Sequence, residues 1–65
     1  MQDYQERVVV EKADLDERVA KLRRFFTTPA YAGLDSAEQD RLSRQFGYMC
    51  SYSAVLEELI AAFAK

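Results

Sequence analysis

The sequence predicts an all-α fold: an antiparallel two-helix hairpin, a single domain over residues 1–65, assembling into a homo-oligomer. Three observations carry this. Two long segments place apolar residues at helical spacing. Between them the stretch Thr27-Thr28-Pro29-Ala30-Tyr31-Ala32-Gly33-Leu34-Asp35 holds the only proline and one of the two glycines, and is the one strong break. Each segment also carries a second apolar row that one hairpin has no means of covering.

The first helix is expected over about residues 3–26. Tyr4, Val8, Leu15, Val19, Leu22 and Phe26 recur at steps of 3, 4 or 7 and form one stripe. Asp3/Arg7, Asp14/Arg18 and Glu17/Lys21 each place an acid four residues before a base, the favourable order. Acidic residues lead the segment and Lys21, Arg23 and Arg24 close it, matching the helix dipole. Val8-Val9-Val10 is β-branched, but a run of three inside a charged helical pattern is too short for a strand.

In the connection, 27–35, Thr28 can cap a short turn with Pro29 at its first position, and Tyr31 and Leu34 are expected to fold back onto the helix ends. Asp35-Ser36-Ala37-Glu38 reads as a capping box. The second helix is expected over about 36–64. Leu42, Phe46, Met49, Ser53, Leu56, Ile60 and Phe63 follow an unbroken 4-3-4-3-4-3 spacing, the seam of a packed helix pair. Gly47 costs ~1 kcal/mol of helix propensity, tolerable in a long helix, and its missing side chain leaves room for a close neighbour. Helices of matched length joined by a short connection fold back antiparallel. Val9, Ala13 and Ala20 then lie on the back of the first helix. Tyr48, Tyr52, Val55 and Leu59 form a row about a quarter-turn from the second seam. Self-association is the commonest way to cover such rows, and small domains without disulfides or metals are marginal alone.

Composition narrows the function. The net charge is −2, which argues against gripping a DNA or RNA polymer through bulk positive charge. With no His, there is no Ser-His or Cys-His pair and no imidazole metal ligand. Asp14, Asp16 and Glu17 lack an EF-hand spacing, so no metal is expected. A single Cys allows no internal disulfide, and Cys50, beside Met49, reads as a buried structural thiol in a reducing compartment. No apolar run reaches the ~20 residues of a membrane span, and Met1–Glu6 shows no apolar signal segment. A hairpin of this size has no bulk to form a cleft, so an enzyme is not expected.

The chain reads Tyr4-x-x-Arg7-Val8-x-x-Glu11-Lys12-x-x-Leu15, then Leu22 and Phe25-Phe26. After the break come Leu34, Glu38, Leu42, Gln45, Met49, Tyr52, Leu56, Ile60 and Phe63. In this it resembles, over nearly its whole length, the short phage-encoded helical-hairpin family shared by anti-CBASS and anti-Thoeris signal sponges. The resemblance implies a phage protein acting in the host bacterial cytoplasm, without cofactor, that oligomerises, commonly as a hexamer. It implies that the protein sequesters a nucleotide immune messenger without cleaving it. Anti-Thoeris members carry sequence beyond the hairpin, so the resemblance favours cyclic di- or trinucleotides over cyclised ADP-ribose derivatives.

Arg41, Arg44, Gln45, Tyr48 and Tyr52 fall within about 100° of one another on a helix. Two guanidiniums can hold phosphates bidentately, two phenol rings can stack on bases, and Gln45 can read a base edge. The plainer reading has Arg44 paired with Asp40 and the tyrosines packed in an oligomer interface. Tyr4, Arg7 and Lys12 form a second candidate group. Within the resemblance, an aromatic and a cation near the helix start help build a pocket between protomers. The plainer reading packs Tyr4 against Ile60 or Phe63 and pairs Arg7 and Lys12 with nearby acids. Arg18, Lys21, Arg23 and Arg24 spread around the helix and read as its solvated, dipole-matched end. A protein-only adaptor, binding a host protein through the tyrosine row as a helix in a groove, is the competing function.

Overall fold

A computed structural model describes residues 3–64. The chain is all-helical: α1 spans Asp3–Phe25, α2 Pro29–Ala32 and α3 Ser36–Phe63. No strand is present among the described residues, and Val8-Val9-Val10 is helical. Asp3 and Glu6 lie in the first turn of α1, and Arg23 and Arg24 in its last, each complementing the dipole at that end.

α1 and α3 pack side by side and antiparallel. Tyr4 at the start of α1 meets Phe63 at the end of α3, with ring centroids 5.5 Å apart and edge to face. At the other end Phe26 meets Phe46 at 5.3 Å. The result is a rod of 46 × 15 × 14 Å. Its core is thin. Among the described residues Leu15, Val19 and Leu56 are the buried apolar ones, with Val8, Phe46, Met49 and Cys50 half-buried against them. All but Cys50 lie on the predicted stripes, and the Cys50 thiol is half-buried rather than fully enclosed.

The reversal is held by side-chain caps. The Thr28 hydroxyl donates to the Phe25 carbonyl at 2.6 Å and accepts from the Tyr31 amide at 3.3 Å, closing α1 and opening α2 with one group. Thr27 Oγ1 donates to the Arg24 carbonyl at 2.8 Å. Pro29 opens α2, where a missing N–H costs nothing. Asp35 caps α3, its Oδ1 accepting from the Glu38 amide at 2.8 Å. The Glu38 carboxylate, expected to complete a capping box, instead accepts from Arg41 Nε at 3.3 Å. Tyr31 folds back as expected: its ring packs edge-on against Phe25 and Phe26, at 6.0 and 5.0 Å. Its carbonyl accepts from Gln39 Nε2 at 2.9 Å, tying α2 to α3.

The second rows remain outside. Tyr48, Tyr52, Val55 and Leu59 on α3 are 73, 45, 51 and 40% exposed, and Val9 and Val10 on α1 are exposed as well.

Candidate functional site

The outward row of α3 is shaped by helix geometry alone. Residues three, four and seven apart stack on one face, and Arg41, Arg44, Tyr48 and Tyr52 therefore rise along one side of the rod. Arg44 Nε donates to Asp40 Oδ2 at 3.0 Å, and Arg41 pairs with Glu38; both pairs are exposed. Exposed pairs of this kind contribute little to stability, so they orient the guanidiniums without holding them against an incoming anion. Gln45 Nε2 lies 3.7 Å from Met49 Sδ, a weak contact. The Tyr48 ring stands open to solvent.

Tyr52 differs from Tyr48. Its hydroxyl donates across the seam to the Glu11 carboxylate. That hydrogen bond, then partial desolvation and the charge of Glu11, pushes its ionisation above the ordinary tyrosine range. Next to it, Lys12 Nζ donates to Asp16 Oδ2 at 2.7 Å and to Ser53 Oγ at 3.0 Å, and Ser53 donates to the other oxygen of Asp16. The hydrogen bonds from Lys12 and then Ser53 hold Asp16 below the usual aspartate range. Neighbours on a helix point about 100° apart. The Glu11–Tyr52 and Lys12–Ser53 pairings therefore sit on opposite flanks of the same seam.

The structure thus separates the predicted residues. Tyr4 packs on Phe63, and Arg7 pairs with Asp3 at 3.5 Å, both at the open end of the rod. Arg41 and Arg44 lie towards the turn. Phe63 lies nineteen positions beyond Arg44 on α3, roughly 28 Å of helix. Lys12 lies on the flank away from Tyr52. Within one hairpin, the two groups do not meet.

An open groove of about 460 Å³ runs along α1, where Arg7 and Arg18 stand among Asp3, Glu6, Glu11 and Asp14. Four carboxylates against two guanidiniums make it a poor seat for an anion, and of the predicted residues only Arg7 lines it. No group of His, Cys, Asp and Glu among the described residues is arranged to hold a metal ion. No helix among them is long and apolar enough to cross a membrane.

Folding also sorts charge. The half of the rod nearer the turn, residues 18–48, carries six basic and three acidic side chains. The open half, residues 3–17 and 49–64, carries two basic and eight acidic ones. A chain with a net charge of −2 thus has one basic end, and Arg41, Arg44 and Tyr48 lie in it. Sequence reasoning missed three polar groups that the structure puts to work, Glu11, Asp16 and Ser53. Ser53 alone gave a signal, as the one hydroxyl in an apolar seam.

No curated protein and no solved structure matches the chain. The family model that does match is Sequestin, over residues 2–61. The name denotes a sequestering protein, which fits the sponge family that the residue pattern resembles and a binding rather than a catalytic role. Matched over nearly all of its length, the chain belongs to the Sequestin family.

Proposed function

We propose that the chain is a phage anti-defence sponge, which binds cyclic di- or trinucleotide immune signals in the host bacterial cytoplasm and withholds them without cleaving them. One observation supports this beyond family membership. The basic end of the rod presents, on one exposed strip, two guanidiniums and an open phenol ring, with a second ring one turn further on. A cyclic oligonucleotide asks for that combination, with cations for its phosphates and flat surfaces for its bases. In this reading Arg41 and Arg44 hold phosphates, Tyr48 and Tyr52 stack on bases, and Gln45 reads a base edge. Tyr4, Arg7 and Lys12 of a neighbouring protomer complete the pocket. Self-assembly, commonly hexameric in the sponges it resembles, multiplies the sites per particle, which suits removal of a messenger by mass action.

The test is a panel of cyclic di- and trinucleotides scored by thermal shift, followed by heat release and identification of what was bound. At a hundredfold excess over Kd, a ligand of the native state raises stability by about 2.7 kcal/mol. Arg44→Ala is expected to weaken binding roughly ten- to a hundredfold, the loss of one charge-assisted hydrogen bond, with oligomeric mass measured in parallel. Tyr48→Phe keeps the ring and retains most of the affinity, whereas Tyr48→Ala does not. A parent protein that binds nothing in the panel ends the sponge reading, and the exposed apolar row then favours a helical adaptor for a host protein.

A further inference from the structure

Glu11 stands where two features meet. Its carboxylate is held at the edge of the Tyr52 ring, whose hydroxyl donates to Glu11 Oε2. The same side chain lines the open groove of about 460 Å³ along α1, a volume in the range of small-ligand sites. We propose that Glu11 makes this strip selective for guanine: a base stacked on Tyr52 turns its Watson–Crick edge to the groove and donates N1–H and N2–H to the carboxylate. The assignment rests on the sponge reading and names the base that reading leaves open.

The chemistry of the base edges carries the choice. A carboxylate only accepts, with two oxygens and about four lone-pair sites, and the Tyr52 hydroxyl takes one of them. Guanine presents two adjacent N–H donors on its Watson–Crick edge, spaced to meet both oxygens. Adenine and cytosine each present one donor beside a ring nitrogen that is itself an acceptor. Uracil sets its single donor between two carbonyls. Each of those acceptors would face the carboxylate with like partial charge. Bidentate base contacts discriminate against the wrong base by roughly ten- to a hundredfold.

The fold keeps this carboxylate clear of the phosphates. Glu11 is level with Tyr52, and Arg44 lies eight residues nearer the turn on α3, ~12 Å along the rod. That exceeds the Debye length of about 8 Å at physiological salt, so a phosphate held at Arg44 is largely screened from Glu11. Arg18, one heptad beyond Glu11 in α1, falls level with Gln45, one heptad before Tyr52 in α3, and on the same flank. Arg18 is exposed and has no ion-pair partner among the described residues. The flank thus changes from a carboxylate at Tyr52 to a guanidinium at Gln45, the order of a nucleotide laid with its base towards the open end and its phosphate towards the turn. The acidity that makes the groove a poor seat for an anion suits a base edge made of donors.

Calorimetry with cyclic di-GMP, cyclic di-AMP and cyclic tri-AMP tests it, with mass and helicity followed on each protein. The parent is expected to bind cyclic di-GMP roughly ten- to a hundredfold more tightly than either adenine ligand. Glu11→Gln keeps an oxygen for the Tyr52 hydroxyl but sets an amide N–H against one guanine donor, and a carboxamide pairs well with adenine. The variant is expected to keep its helicity and lose the preference, with cyclic di-GMP weakened roughly ten- to a hundredfold and the adenine ligands bound no more weakly. A Glu11–Tyr52 contact that only braces the helices would change all three affinities alike and leave their order intact. That result, or a parent that binds any guanine-free cyclic nucleotide as tightly as cyclic di-GMP, overturns the assignment and leaves the sponge reading standing. A parent that takes up no cyclic nucleotide at all overturns both.

Discussion

The inward and outward faces of α3 are both apolar through the C-terminal half of the helix, yet they end differently. Leu56, facing α1, is 3% exposed, and Leu59, three residues on, is 40% exposed. Inward, α1 supplies Leu15 and Val19 as partners. Outward, the described residues leave Tyr48, Val55 and Leu59 exposed. The difference teaches that apolar spacing states which surface is to leave water, not which chain removes it. A two-helix rod has one seam to offer, and it leaves the second row in water.

The largest expected effect separates the two faces. Leu56→Ala deletes a buried side chain from a core of three and is expected to cost about 2–5 kcal/mol, seen as a lower denaturation midpoint. Tyr48→Ala removes an exposed ring and is expected to leave the dilute, dissociated hairpin nearly as stable as its parent. Equal losses in dilute protein would mean that the outward face is covered within the chain after all.

A middling effect tests whether the turn holds α3 independently of either face. Asp35→Ala removes the acceptor for the Glu38 amide and is expected to cost about 0.5–2 kcal/mol, with Asp35→Asn restoring most of it. A loss of dissociated stability to match Leu56→Ala would place the weight of the fold at the turn and not along the seam.

The smallest effects distinguish the flanks of the seam by pH. Asp16 has a lowered folded pKa, so its contribution is present above the ordinary aspartate range and is lost as pH falls through that lowered value. Tyr52 has a raised one, so its contribution is present below pH about 10 and is lost as pH rises through the raised value. Both are exposed and the effects are slight. Asp16→Asn is expected to flatten only the acid limb of a stability–pH profile, and Tyr52→Phe only the alkaline limb. A change in the opposite limb would show that the two pairings are not separate.

Most of the fold was legible in the residues. The 4-3 spacing from Leu42 to Phe63 names the inward face, and Thr28 and Asp35 cap the helices expected of them. Tyr31 tucks against Phe25 and Phe26. The site was less so, for a physical reason. Spacing fixes angles around one helix but neither the axial offset nor the rotation of a second helix against it. Lys12 was therefore grouped with Tyr4 and Arg7, its neighbours in sequence, although it turns to Ser53, forty-one residues away. Glu11 stands in the residue pattern without a role until the fold brings Tyr52 across to it. The charge sorting was hidden likewise, because residues 3–17 and 49–64 join into one acidic end only when the chain folds back.

A core of three side chains makes copy number a thermodynamic variable. If most of the apolar surface leaves water only on association, the folded fraction depends on how many chains share the volume. Each tenfold dilution then takes about 1.4 kcal/mol from the assembled state. Chains made singly would fray and meet proteases. Chains made in bursts would find one another and persist, so that the rate of synthesis sets the lifetime of the product.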